Sequence, residues 1–302
     1  MSIVEKLDLA IKLDERKTTY GAYVVPYKGN TLQKTTYMTN AEWEVFVDYM
    51  EHNQIQPSAY GEYKEGDGGE LTEKDGRPPK MASFGSSSRM IYMLSRGKKD
   101  FHYEKKLHTT IGGTANLDGF FEDENRAVFV EAKCHEPYTA KKNSVSTSYA
   151  KLYEYINERL EGTIDIQMET SKCGRYMNVE YYADGEKLER FDMKQMICHL
   201  LGIATGILKG TIARKQLDFI YLLYDPTELE IEPKAKAEID AIYARTCYEC
   251  NLVEFAELFY VILEFLSKTK YNNALSSEEI YDIILKFTFT LASQEFYPTL
   301  IK

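Results

Sequence analysis

The chain has 302 residues, a formal net charge of −10, 44% hydrophobic residues and 28% charged residues. That length can bury a sizeable core, the composition is that of an ordinary folded protein rather than a disordered one, and the acidic balance argues against a generic nucleic-acid coat protein. Five cysteines, an odd number, and the lack of a secretory signal point to a reducing cytoplasm; no membrane span is expected, since the longest apolar run, Met196 to Leu208, carries His199 and glycines.

Met1 to Leu13 has helical apolar spacing, and Asn40 reads as the N-cap of a helix running to about Glu51. Trp43, Phe46, Val47 and Met50 share one face of that helix and are expected in the core. From Tyr60 to Pro79 the composition shifts to Gly, Glu, Asp and Pro, which predicts a loop or hairpin. Ser86 to Ser88 can cap a helix ending near Arg96. The segment from Lys80 to His108 holds Lys80, Arg89, Arg96, Lys98, Lys99, Lys105 and Lys106 with few acids. It is a candidate face for a phosphate backbone, extended by Lys141 and Lys142, with a solvated lysine-rich loop as the alternative.

Three strands are expected next, at about 101–110, 115–121 and 127–134, forming an antiparallel meander. The acidic run Glu122 to Arg126 supplies the turn between the last two. Alternation puts Phe129, Glu131 and Lys133 on one face of the third strand and Val128, Val130, Ala132 and Cys134 on the other. Pairing can bring Asp118 on the second strand across from Glu131. Two carboxylates and an ammonium in an otherwise apolar hairpin suit a divalent cation: Asp118 and Glu131 as ligands, the carbonyl of Ala132 as a third, and water for the rest. Such a cation acidifies a water and offsets charge on a phosphodiester, while Lys133 orients that water or helps to deprotonate it. Glu-x-Lys occurs five times in the chain, but only Glu131 and Lys133 lie in a long apolar strand preceded by an Asp-bearing one.

With Asp118 in NLDGFF and Glu131, Ala132 and Lys133 in VFVEAK, the sequence resembles the PD-(D/E)xK nuclease superfamily over about residues 86–226. Leu117 stands where the motif's Pro would be. The phrases GGEL, PPKMASFGSSSR and FDMKQMICHLLGI are similar to bacterial restriction endonucleases. The resemblance implies an α/β restriction-endonuclease-like αβββαβ core with a mixed central sheet. It also implies Mg²⁺, with Mn²⁺ as a substitute, bound by Asp118 and Glu131, and water activation by Lys133. Several families of this superfamily carry a Gln-x-x-x-Tyr helix that reaches the active site, which makes Gln195 a candidate catalytic residue; here His199 stands in place of the Tyr. The residues themselves leave other roles open, Gln195 as part of a capping box with Asp192 and His199 as a core histidine. The resemblance also implies an extra upstream carboxylate, for which Glu70 and Glu104 are the candidates.

Ser148 to Glu161 is expected to be helical, as is the segment from Asp192 toward Leu208, while the apolar run Leu217 to Tyr224 reads as a buried strand. Three further helices are predicted at 234–250, 253–267 and 277–292. Cys247-x-x-Cys250 lacks the second pair a zinc ribbon needs. The expected organisation is an N-terminal α/β extension over 1–80, a nuclease core over 81–230, and a C-terminal helical region over 231–302. The expected function is that of a metal-dependent endonuclease acting on DNA in restriction or defence, working as a homodimer when both strands are cut. The alternatives are a nucleic-acid-binding module that keeps the fold without hydrolysis, or a structural protein whose hairpin charges form a buried ion pair.

Overall fold

The structure is a computed structural model that describes residues 1–18, 36–66, 69–74, 76–139 and 143–301. The expected contribution of Lys141 and Lys142 to a basic face lies outside the described residues. No helix among the described residues is long and apolar enough to cross a membrane.

Among the described residues, the helices that precede the sheet are α1 (Ile3–Thr18), α2 (Asn40–Glu51), α3 (Ala59–Glu65) and α4 (Ser87–Ser95). Thr39, rather than Asn40, caps α2, because its hydroxyl accepts from Glu42 N while Glu42 reaches back to Thr39 N in a capping box. The Gly-rich stretch begins as helix α3 instead of a loop, and a single bridge, Lys74 to Arg77, follows it. No strand lies in the described part of residues 1–80, so the expected α/β extension is helical there. Ser86 caps α4 by accepting from Arg89 N.

The meander follows as β1 (His102–His108), β2 (Thr114–Glu122) and β3 (Arg126–Lys133), each antiparallel to the one before. Then come a short β4 (Ser144–Ser146), α5 (Ala150–Arg159), β5 (Ile164–Thr170), β6 (Tyr176–Ala183) and β7 (Glu186–Lys187). β4, β6 and β5 make a second sheet, with β7 folded back on β6. This insertion was not anticipated, although Ile164, Ile166, Met177, Val179, Tyr181 and Ala183 alternate cleanly between buried and outward neighbours.

Helix α6 (Met193–Leu208) leads into β8 (Gln216–Leu223), which runs parallel to β3. The chain ends with α7 (Pro233–Asn251), α8 (Phe255–Lys270), α9 (Ser277–Ile284), β9 (Phe287–Ala292) and α10 (Tyr297–Leu300). The predicted helix over 277–292 is therefore broken: β9 leaves it and pairs in parallel with β8. FTFTLA satisfies both a helical and a two-residue period, and its two threonines between apolar residues favour the pleated surface. The C-terminal region is thus more than a helical appendage, since it completes a mixed five-stranded sheet of order β1-β2-β3-β8-β9.

Apolar cores lie on both faces of this sheet. Ala127 and Phe129 pack with α5, α6 and α8, whereas Val128, Val130, Ala132 and Cys134 pack with α1, α2 and α4. The faces of β3 are those the alternation predicts. The result is an α/β protein with a mixed sheet between helical layers.

Candidate active site

β2 and β3 separate at the level of Asp118. Their pairing ends at Gly119 with Val130, while β3 continues to Lys133 on β8 and β2 continues to Thr114 on β1. β1 and β2 both exchange faces there. Tyr103 and Phe121 pack on the N-terminal side of the sheet, but Leu107, Ala115 and Leu117 pack on the other, although two-residue periodicity would keep Tyr103 with Leu107 and Leu117 with Phe121. Glu104, flanked by the Tyr103–Gly119 and Lys105–Leu117 pairs, takes a left-handed φ of 52° at that point. Asp118 lies opposite it in the register.

The separation leaves an edge of β3 without a ladder partner, and Asp118 fills it. Its Oδ2 accepts from Ala132 N at 2.7 Å, so a carboxylate stands where a strand carbonyl would be. Lys133 O accepts from Tyr224 N on the far edge. Successive carbonyls alternate along a strand, which directs the Ala132 carbonyl to the same edge as Asp118. Burial, reinforced by the charge of Glu131, holds the Asp118 carboxyl well above its ordinary range, with Lys133 and the Ala132 N–H opposing and Glu104 adding to the rise.

Glu131 is 1% exposed and Lys133 6% exposed. Lys133 Nζ donates to Glu131 Oε1 at 2.5 Å and to Gln195 Oε1 at 2.6 Å. Burial opposes charge on both partners most strongly; for Glu131 it is outweighed by Lys133 and His199, which pull the carboxyl below its ordinary range. For Lys133 it is outweighed by Glu131 and Tyr221, and the ammonium titrates well above its ordinary range. The pair is therefore ionised, and each charge depends on the other.

Helix α6 supplies two residues to this cluster, one turn apart. Asp192 caps the helix by accepting from Gln195 N at 3.1 Å, but the Gln195 side chain turns to Lys133 instead of closing a capping box. His199 is 1% exposed, with Nε2 2.9 Å from Glu131 Oε2. The two atoms are not aligned as a hydrogen bond, and Glu131 Oε2, His199 Nε2 and His199 Nδ1 are all buried without a hydrogen-bond partner. α6 sits close enough to do this because Gly202 faces the sheet, where an added Cβ would lie 2.9 Å from Leu107 Cβ and 3.0 Å from Ala115 Cβ.

Tyr221, paired with Glu131 in the β3–β8 register, joins the cluster from β8. It is 1% exposed, and its hydroxyl has no hydrogen-bond partner. Sequence reasoning passed over it, although it is the hydroxyl-bearing residue at the middle of the apolar run LDFIYLLY. An open cavity of about 390 Å³ bordered by Ser144, Tyr149, Asp192, Lys194, Gln195 and Cys198 gives access on the Gln195 side.

The structure thus brings Asp118, Glu131, Ala132, Lys133 and Gln195 together. Glu104 lies across from Asp118, whereas Glu70 is held elsewhere by Lys80 at 2.5 Å. The expected basic face is not one surface: Arg89 is 1% exposed and paired with Glu15, Lys80 is committed to Glu70, and Lys98 and Lys105 lie over the rings of Phe121 and Phe120. Arg89 turned inward because its guanidinium packs on Phe84 and finds an acid on α1.

Among the described residues no group of three or more His, Cys, Asp and Glu side chains is placed to hold a metal. What the site offers a divalent cation is a pair of carboxylates with a backbone carbonyl, a donor set that suits a hard cation retaining several waters. The elevated Asp118 carboxyl, buried beside the charge of Glu131, is the feature a cation would satisfy. Compared with family models, curated proteins and solved structures, the chain matches none.

Proposed function

We propose that the chain is a divalent-metal-dependent nuclease that hydrolyses DNA phosphodiester bonds, in a restriction or defence role. The observation that carries this reading is the Lys133 ammonium, held jointly by Glu131 and Gln195 beside the strand break filled by Asp118. The succession α4, β1-β2-β3, α6, β8, with β8 parallel to β3 and the second sheet and α5 interposed before α6, is compatible with the αβββαβ order that the resemblance implies.

Asp118 and Glu131, with the Ala132 carbonyl, would hold Mg²⁺ or Mn²⁺. The cation supplies a more acidic water and offsets charge on the scissile phosphate. Lys133, kept protonated by Glu131, donates to the attacking water or to a phosphate oxygen rather than removing a proton. Gln195 fixes the ammonium, and α6 with β8 keeps bulk water from the cluster, so the charges act in a medium where they are strong.

A second reading, a buried ion pair of purely structural use, is favoured by the contacts that engage both oxygens of Glu131 without any cation. Cleavage assays separate the two. Supercoiled, linear, single-stranded and branched DNA would be incubated with the protein in Mg²⁺, Mn²⁺ or EDTA, beside Asp118→Asn. Cutting that needs the cation and is lost in Asp118→Asn is the expected result. No cutting of any substrate, together with no cation binding, would overturn the nuclease reading.

A further inference from the structure

Resting on the nuclease reading, we propose that His199 is a positioning residue for Glu131, retaining one carboxylate oxygen while the other is released to the cation, and so sets how tightly the site takes its metal. The two oxygens of Glu131 are both engaged in this structure, Oε1 by Lys133 at 2.5 Å and Oε2 by His199 Nε2 at 2.9 Å. A ligand role for Glu131 requires one of those contacts to yield.

The partners differ in what release would cost them. Lys133 has a second acceptor, Gln195 Oε1 at 2.6 Å, so the ammonium stays satisfied when Glu131 Oε1 turns away. His199 has no such alternative: the ring is 1% exposed, and neither nitrogen has a hydrogen-bond partner. Loss of Glu131 Oε2 would leave a buried imidazole with no polar neighbour, which is costly. Oε1 is therefore the oxygen released, and His199 holds the carboxylate by Oε2 throughout.

Gln195 and His199 occupy the same side of α6, one turn apart, and divide the work. One retains the ammonium and the other the carboxylate, so a single rigid element keeps both in place as the contact between them opens. Removing such an outer partner of a metal ligand typically weakens metal binding about 10-fold to 100-fold. His199 is not proposed as a ligand itself, consistent with the lack of a three-ligand group among the described residues.

The test is calorimetric titration of Mg²⁺ and Mn²⁺ into the full chain, as wild type, His199→Leu, His199→Asn and His199→Gln, with circular dichroism and metal-free melting as checks on folding. The expected result is a Mg²⁺ affinity at least about tenfold weaker in His199→Leu and His199→Asn, which lack a donor or the reach to Glu131, and largely restored in His199→Gln. In a cleavage assay the metal concentration giving half-maximal rate should rise in His199→Asn while the rate at saturating metal is kept. A purely structural histidine would instead lower the melting temperature and the maximal rate together. If either the Leu or the Asn variant folds and binds Mg²⁺ as tightly as wild type, the positioning role is overturned. If wild type binds neither cation, it is the nuclease reading that fails.

Discussion

Asp118 Oδ2 takes the Ala132 N–H at 2.7 Å, a hydrogen bond that replaces a rung of the β2–β3 ladder with a side chain. One residue thereby closes the strand break structurally and presents a carboxylate at it. These two duties are separable by mutation.

Asp118→Asn keeps an acceptor for Ala132 N and removes a charge that burial and Glu131 both oppose. Without metal the variant should be as stable as wild type or more stable, by about 1 kcal/mol. Stabilisation by added Mg²⁺ should disappear. The sign with pH follows from the raised carboxyl: the penalty for ionising Asp118 is absent below its unfolded pKa and grows as pH rises through the folded one. Urea unfolding with and without Mg²⁺ checks both statements.

Lys133 and Glu131 respond differently to loss of one partner or both. Lys133→Met leaves Glu131 buried without its ammonium and should cost about 3–5 kcal/mol. The double variant Glu131→Gln with Lys133→Met removes the charges together and should recover most of that loss. A double-mutant cycle in denaturant measures the coupling; additive losses would mean that the two charges are independently solvated.

The end of β3 is tied to α1 by a contact that should show in the pH dependence of melting. His135 Nδ1 lies 3.2 Å from Asp8 Oδ1. Burial disfavours the charged ring most, but the Asp8 hydrogen bond and the nearby charges of Glu136 and Asp8 outweigh it and raise the His135 pKa. Stability from this pair is fully present below the unfolded histidine pKa of about 6.5 and is lost as pH rises through the higher folded value. The wild-type melting temperature should therefore fall as pH rises from neutral to mildly alkaline, and Asp8→Asn should flatten that slope.

Gly202 sets the distance between α6 and the sheet. Gly202→Ala gains helix propensity worth about 1 kcal/mol, yet its Cβ would meet Leu107 Cβ at 2.9 Å. Overpacking wins, with a net loss of about 1–2 kcal/mol and weaker coupling between Lys133 and Gln195. Chemical denaturation, together with the Lys133→Met/Gln195→Ala coupling energy in the Gly202→Ala background, tests this.

Much of the site was legible because alternation along β3 is strict. Phe129, Glu131 and Lys133 take the face that a two-residue period demands, and Asp192 caps α6 as its position before Met193 implies. What the sequence concealed were departures from regularity. Nothing in HYEKKLH marks Glu104 as left-handed, and the exchange of faces in β1 and β2 depends on both strands twisting together. Arg89 looked like a surface cation because its acid, Glu15, is remote in the chain. FTFTLA was ambiguous between periods, and only the open edge of β8 decided it.

That last strand bears on how the protein is made. β8 pairs Leu217 with Phe287, so on the ribosome the strand that carries Tyr221 has one unfilled edge until Phe287–Ala292 have emerged. Its other neighbour, β3, pairs with it only after the second sheet and α6 have been synthesised. The site is assembled by late, long-range pairings, which are slow to form and vulnerable to edge-to-edge association while they wait. A stop codon between β8 and β9 would therefore be expected to yield aggregated chain instead of a shortened, working protein, even though β9 contributes no residue to the site cluster itself.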